Sequence, residues 1–151
     1  MSKVFKYVIA YGMWFVDLGL ATWLFYISRT ALLAFLALSY DQADYQYPMR
    51  ADVADKIFTL LLGIGWLAFM VITEEYFRAG AHKESLMKRF ARVTGSILLT
   101  IFFLDLTLFW LQGIEGGDWL RWLILSAELV IGLVLVLYGK KSRKTKLPKK
   151  G

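Results

Sequence analysis

The sequence contains no cysteine. That excludes disulfides, iron–sulfur ligation, thiolate nucleophiles and thiolate zinc sites. It contains one histidine, His82, so one chain cannot supply a bis-His haem or a multi-His metal site. A Ser-His-Asp triad would have to use His82, which lies in the charged segment AHKESLMKR and reads as an exposed loop residue. No nucleotide motif is recognisable. No internal repeat is visible either, so an inverted-repeat transporter within one chain is not indicated.

What is present is apolar. Hydrophobic residues make up 58% of the 151 residues, above the roughly 45–50% of soluble domains. A soluble fold of this size could not hide that much apolar surface. Aromatics reach 17%, with six Trp and eight Tyr, residue types that gather at the lipid–water boundary. Four apolar runs are long enough to span a bilayer, which needs about 20 residues of helix. They cover about residues 7–27, 57–76, 93–114 and 119–138. The runs are continuous rather than alternating, which argues against barrel strands. The expected fold is an all-α integral membrane four-helix bundle, residues 1–151 forming a single transmembrane domain with antiparallel spans.

The net charge of +6 reads as topology rather than as nucleic-acid binding. Lys3 and Lys6 precede the first span. Arg78, Lys83, Lys88, Arg89 and Arg92 lie between the second and third, and the 140–151 segment is polybasic. The opposite loops carry Asp41, Asp44, Asp52, Asp55, Glu115 and Asp118. The positive-inside rule then predicts both termini on the cytoplasmic side of a cytoplasmic (inner) membrane. The tail, with Lys140, Lys141, Arg143 and Lys144, is expected to anchor on anionic lipid headgroups.

The N-terminus resembles a signal peptide only superficially. Its apolar stretch is far longer than the ~7–15 residues of a signal h-region, and Asp17 interrupts it. Residues 31–38 are apolar again and either extend the first helix or lie along the interface; a long or bent first helix is favoured. The segment SYDQADYQYPMRADVAD reads as an acidic outer loop. It lacks the spacing of an EF-hand and looks more like a contact surface. The short, glycine-rich GIEGGD turn makes the last two helices neighbours.

Each span carries an acid, although a charge at mid-bilayer costs about 2.5–3.5 kcal/mol on insertion scales. Counted from the outer ends of their spans, Asp17, Asp105 and Glu128 all fall near ~14 Å deep. Ala10, Asp17, Ala21 and Ser28 share one helical stripe. So do Thr94, Asp105 and Gln112, and Arg121, Glu128, Gly132 and Gly139. These small and polar faces should point into a bundle or at another protein. The three acids have three readings. They form a proton- or cation-coupled site, they are neutral structural acids, or they meet partner helices, since no Lys or Arg of this chain is expected at their depth. Glu74 and Arg78, four apart, are expected to form an interfacial ion pair. Gly63 and Gly65 read as packing sites, and Arg29 as a mark of the outer interface.

The stretch EEYFRAGAHKESL, together with the size and the four spans, is similar to the small membrane subunit of TRAP-type transporters. That resemblance implies an accessory role beside a larger transport subunit. It covers that stretch alone, carries no residue roles, and is at odds with the long acidic outer loop. The expected function is a non-catalytic accessory subunit of a larger membrane complex, with other integral membrane subunits and anionic lipids as partners. The alternative is a small proton- or cation-coupled transporter working as a homo-oligomer. No metal or cofactor of its own is expected. Aromatic-rich helices can nonetheless hold a lipid, quinone or pigment without a sequence signature, and an enzyme acting on lipid would place its pocket near Glu74, Glu75 and Arg78.

Overall fold

The computed structural model describes residues 3–39, 47–82, 85–111 and 119–140. These are four helices: α1 (Lys3–Ser39), α2 (Tyr47–His82), α3 (Leu86–Leu111) and α4 (Trp119–Lys140). All four are long and apolar enough to cross a membrane. Large side chains such as Val16, Trp23, Leu60, Ile72, Phe103 and Val134 are exposed along them. In water such a surface would aggregate, whereas in hydrocarbon it is the lipid-facing side.

Two helices are longer than the sequence reading gave. Residues 30–39 continue α1 as one helix of 37 residues, about 55 Å against a hydrocarbon core of ~30 Å. Nothing in ISRTALLAFLALS breaks a helix, since it has neither proline nor glycine. On the other side of residues 40–46, which lie outside the described residues, α2 begins at Tyr47. Pro48, in its first turn, has a fixed backbone angle that suits a helix start. About half of the expected acidic outer loop is therefore helix, and Arg50, Asp52 and Asp55 lie on it. The GIEGGD turn lies outside the described residues.

The helices keep their hydroxyls satisfied internally. Thr22, Ser28, Thr30, Thr73, Ser96, Thr100, Thr107 and Ser126 each donate to the carbonyl four residues back, at 2.6–3.0 Å. Where no water is at hand, that bond removes the cost of carrying a polar group into hydrocarbon.

The four helices pack on one another unevenly. α1 packs against both α2 and α3, α2 touches α3 more lightly, and α4 packs against α3 alone. Ile27 of α1 and Ile97, Ile101 and Leu108 of α3 form the buried cluster, with Leu20, Leu24, Ala31, Ala34 and Phe69 against it. The extension of α1 thus has a purpose, because Ala31 and Ala34 carry the α1–α3 contact beyond Arg29. α4 joins through a single stripe, Leu125, Gly132 and Gly139. A Cβ on Gly95 of α3 would lie 2.9 Å from the carbonyl oxygen of Gly132 and 2.9 Å from the backbone nitrogen of Val136. The two backbones therefore touch, as small residues allow in membranes. Gly63 and Gly65, expected to be packing sites, have nothing within 4 Å of an added Cβ. The close approach is made by Gly95, Gly132 and Gly139 instead.

Candidate functional site

The polar side chains fall into four groups. At the end that holds the N-terminus of α1, the α2–α3 elbow is tied by Arg89. Its guanidinium donates to the Tyr76 carbonyl (2.6 Å) and to Ser85 Oγ (3.2 Å), and stacks 4.5 Å from the Tyr76 ring centroid. Gly80 is buried beneath it, and a Cβ there would meet Arg89 Cδ at 2.7 Å. Arg92, one turn on, donates to the Gly139 carbonyl (3.0 Å) and to Tyr76 Oη (3.4 Å). A cation at the C-terminus of α4 satisfies a carbonyl that the helix itself leaves unpaired.

Nearby, the expected Glu74–Arg78 ion pair is not made. Glu74 Oε1 instead accepts a hydrogen bond from Tyr11 Oη of α1 at 3.4 Å. Spacing of four residues allows a pair on one helix, but α1 runs alongside and Tyr11 takes the carboxylate. Trp14, also on α1, donates its indole N–H to the Met70 carbonyl (3.3 Å). A narrow cleft lies between these groups, lined by Tyr7, Tyr11, Trp14, Glu74, Phe77 and Arg78.

The three midplane acids do not assemble into one cluster. Asp17 is wholly buried, and its Oδ1 accepts a 2.6 Å bond from Thr94 Oγ1 of α3 while Oδ2 has no hydrogen-bond partner. The stripe that carries it is the buried one, with Ala10 and Ala21. Asp105 lies eleven residues beyond Thr94, about 16 Å further along α3. Counting inward from Ile27 misplaced Asp17, because α1 runs on to Ser39. Asp105 and Glu128, by contrast, are within electrostatic reach of each other across the α3–α4 groove, and Arg121 is within reach of Asp105. Arg121 is thus a basic residue of the same chain that acts on one of these acids. Both acids are half-buried, and Glu128 Oε2 is buried without a hydrogen-bond partner. The Arg121 guanidinium also lies 5.5 Å from the Phe109 ring centroid, and Phe109 packs edge-on against Trp122.

The fourth group went unread in the sequence. Arg29 of α1 meets Asp55 of α2 through two parallel bonds, Nε to Oδ1 at 2.8 Å and Nη2 to Oδ2 at 2.7 Å. One turn away Lys56 pairs with Asp52 at 2.6 Å. Taking 47–55 as loop hid the pairing, since it needs Asp55 on a helix. These four residues rim an open cavity of about 1060 Å³ between α1 and α2. Lys140 is exposed at the end of α4. Lys141, Arg143 and Lys144, expected to touch headgroups, lie outside the described residues, as does His82's side chain. No group of three or more metal-ligating side chains occurs among the described residues.

Helix number, length and apolar composition mark this chain as an all-helical membrane protein. No protein-family model, curated protein or solved structure matches it. The likeness of EEYFRAGAHKESL to the TRAP small subunit rests on that stretch alone, most of which is the end of α2.

Proposed function

We propose that the chain is a non-catalytic integral-membrane accessory subunit of a larger membrane complex. The observation that carries this reading is the position of α4, which packs against α3 alone and leaves the rest of its circumference exposed. Asp105 and Glu128 lie half-buried along that helix pair, and Glu128 Oε2 lacks a partner in a medium where an unsatisfied polar atom is costly. A partner helix bearing a donor beside α3 and α4 would supply the missing bond. No resident metal or cofactor is needed for that role. Anionic lipids remain the expected neighbours of the basic tail.

The same reading takes the spans as antiparallel, in an inner membrane with both termini cytoplasmic. Contact pairs that run in opposite order support it: Tyr11 with Glu74 and Arg29 with Asp55 on α1–α2, Arg92 with Gly139 and Phe109 with Trp122 on α3–α4. The basic residues at the Lys6, Arg89 and Lys140 ends support the orientation.

The test is purification of the tagged native chain in mild detergent, followed by native gel and mass spectrometry. A stoichiometric membrane partner that is retained by Glu128→Gln and lost with Glu128→Leu is the expected result. A homo-oligomer with no other protein, unaffected by either substitution, refutes the accessory reading. One observation favours the second reading, a proton- or cation-coupled homo-oligomeric transporter: Asp105 and Glu128 are within electrostatic reach of each other. On that reading Asp105→Asn assembles normally and loses only transport in proteoliposomes.

A further inference from the structure

From the cavity between α1 and α2 we infer a binding site for one zwitterionic phospholipid, an aminophospholipid such as phosphatidylethanolamine. The lining is sorted by depth. Arg29, Asp52, Asp55 and Lys56 stand at one end, and the remainder is mainly apolar, with Phe25, Leu60, Gly63, Ile64, Trp66 and Leu67 joined by Thr22 and Thr59. From Asp55 to Leu67 is twelve residues of helix, about 18 Å, close to the ~15 Å depth of one leaflet. At about 1060 Å³ the cavity is at the upper limit for small-molecule sites, and it is open, with the exposed side chains of Leu60, Ile64 and Leu67 in its wall.

The charges select the headgroup. Two cations and two anions make the rim neutral overall, which suits a headgroup carrying one phosphate and one ammonium and offers no net attraction to an anionic lipid. Donors remain for the phosphate. Asp55 takes two of the five N–H donors of Arg29, and Asp52 takes one of the three of Lys56. Asp52, more than half exposed, is the acceptor for the lipid ammonium. The glycine adds an independent observation. A helix interior disfavours glycine by about 1 kcal/mol relative to alanine, and Gly63 meets no neighbour that would require it. Its missing side chain leaves room for an acyl chain.

The site lies at the opposite end of the helices from Lys140 at the end of α4, so lipid held there is separable from lipid drawn to the basic end. The experiment reads lipid retained per chain by native mass spectrometry. The purified full-length protein is delipidated and then reloaded from mixed micelles of phosphatidylethanolamine, phosphatidylcholine or phosphatidylglycerol. One phosphatidylethanolamine should be retained at least several-fold more tightly than phosphatidylglycerol, with phosphatidylcholine, which has no N–H to give Asp52, in between. Gly63→Leu should abolish retention while helix content and elution volume stay unchanged, since the space beside it is open. Asp52→Asn leaves the rim at net +1 and should reverse the preference toward phosphatidylglycerol. Losing one charge-assisted bond corresponds to about a tenfold weaker site. Equal retention of the three lipids, a wild-type preference for the anionic one, or undiminished retention by Gly63→Leu each overturns the assignment.

Discussion

Replacing Gly95 by alanine tests the geometry of the α3–α4 contact directly. In an isolated helix the change should stabilise by up to about 1 kcal/mol. Here the added Cβ would lie 2.9 Å from three atoms of α4: the Gly132 oxygen, the Val136 nitrogen and Val136 Cγ2. Two of these are backbone, so no rotamer change relieves them. α4 must back away by about 0.5 Å to reach ordinary contact, and a gap of that size forfeits about a quarter of the dispersion well for each atom pair it opens. Overpacking of this kind costs about 1–3 kcal/mol, which exceeds the propensity gain. Net destabilisation of up to about 2 kcal/mol follows. Gly19→Ala on α1 is the control, because nothing lies within 4 Å of its Cβ, and it should be neutral or stabilising by up to about 1 kcal/mol. Gly132→Ala falls between, since its nearest neighbours are the movable Leu99 side-chain atoms at 3.0 Å. SDS titration followed by tryptophan fluorescence measures all three. If Gly95→Ala is as stable as Gly19→Ala, the two backbones are not in contact and the account of how α4 is attached fails.

Three further outcomes follow from other contacts. A double-mutant cycle with Asp17→Asn and Thr94→Val should give a coupling of about 0.5–1.5 kcal/mol in the same titration, and additivity would mean the 2.6 Å bond contributes nothing. Arg89→Lys should cost about 1–3 kcal/mol and speed proteolysis between α2 and α3, because an ammonium cannot reach the Tyr76 carbonyl and Ser85 together or stack on the Tyr76 ring as the planar fork does; unchanged proteolysis counts against the elbow role. Arg29→Asp alone and Asp55→Arg alone should each lower the melting temperature, with the charge-swapped double variant recovering most of the loss, and no recovery would mean that the bidentate pair does not tie α1 to α2.

Helix number and apolar character were legible because about 20 consecutive apolar residues admit few other readings. Helix ends were not. Charge and aromatic belts mark where a helix leaves hydrocarbon, and α1 and α2 continue past that point as helices. That one error moved Asp17 to the wrong depth and left Asp55 in a loop, away from Arg29. Faces were legible in part where small and polar residues recurred at seven and four: Ala10, Asp17 and Ala21 are buried, and so are Gly132 and Gly139, whereas Ser28, Arg121 and Glu128 on the same stripes are only partly covered. Gly63 and Gly65 were misread because a glycine that admits a neighbouring backbone and one that leaves space look alike in sequence. Rules of spacing within one helix also missed what a neighbour takes, as Tyr11 takes Glu74.

The uneven distribution of polar contacts gives the helices different ranks. α1, α2 and α3 are cross-linked by polar bonds: Asp17 with Thr94, Trp14 with the Met70 carbonyl, Arg29 with Asp55 and Arg89 with Tyr76. α4 is held by a glycine-lined stripe and by Arg92 on its terminal carbonyl at Gly139. Between membrane helices apolar burial supplies little driving force, because lipid tails are as apolar as leucine, so packing and hydrogen bonds decide which contacts persist. By polar cross-links α4 is held least, although its packing on α3 is the most extensive between any two helices. It also carries Glu128, whose Oε2 has no hydrogen-bond partner, so a partner that supplied a donor there would add a polar bond to the helix that has the fewest, without disturbing the three-helix unit or the cavity between α1 and α2.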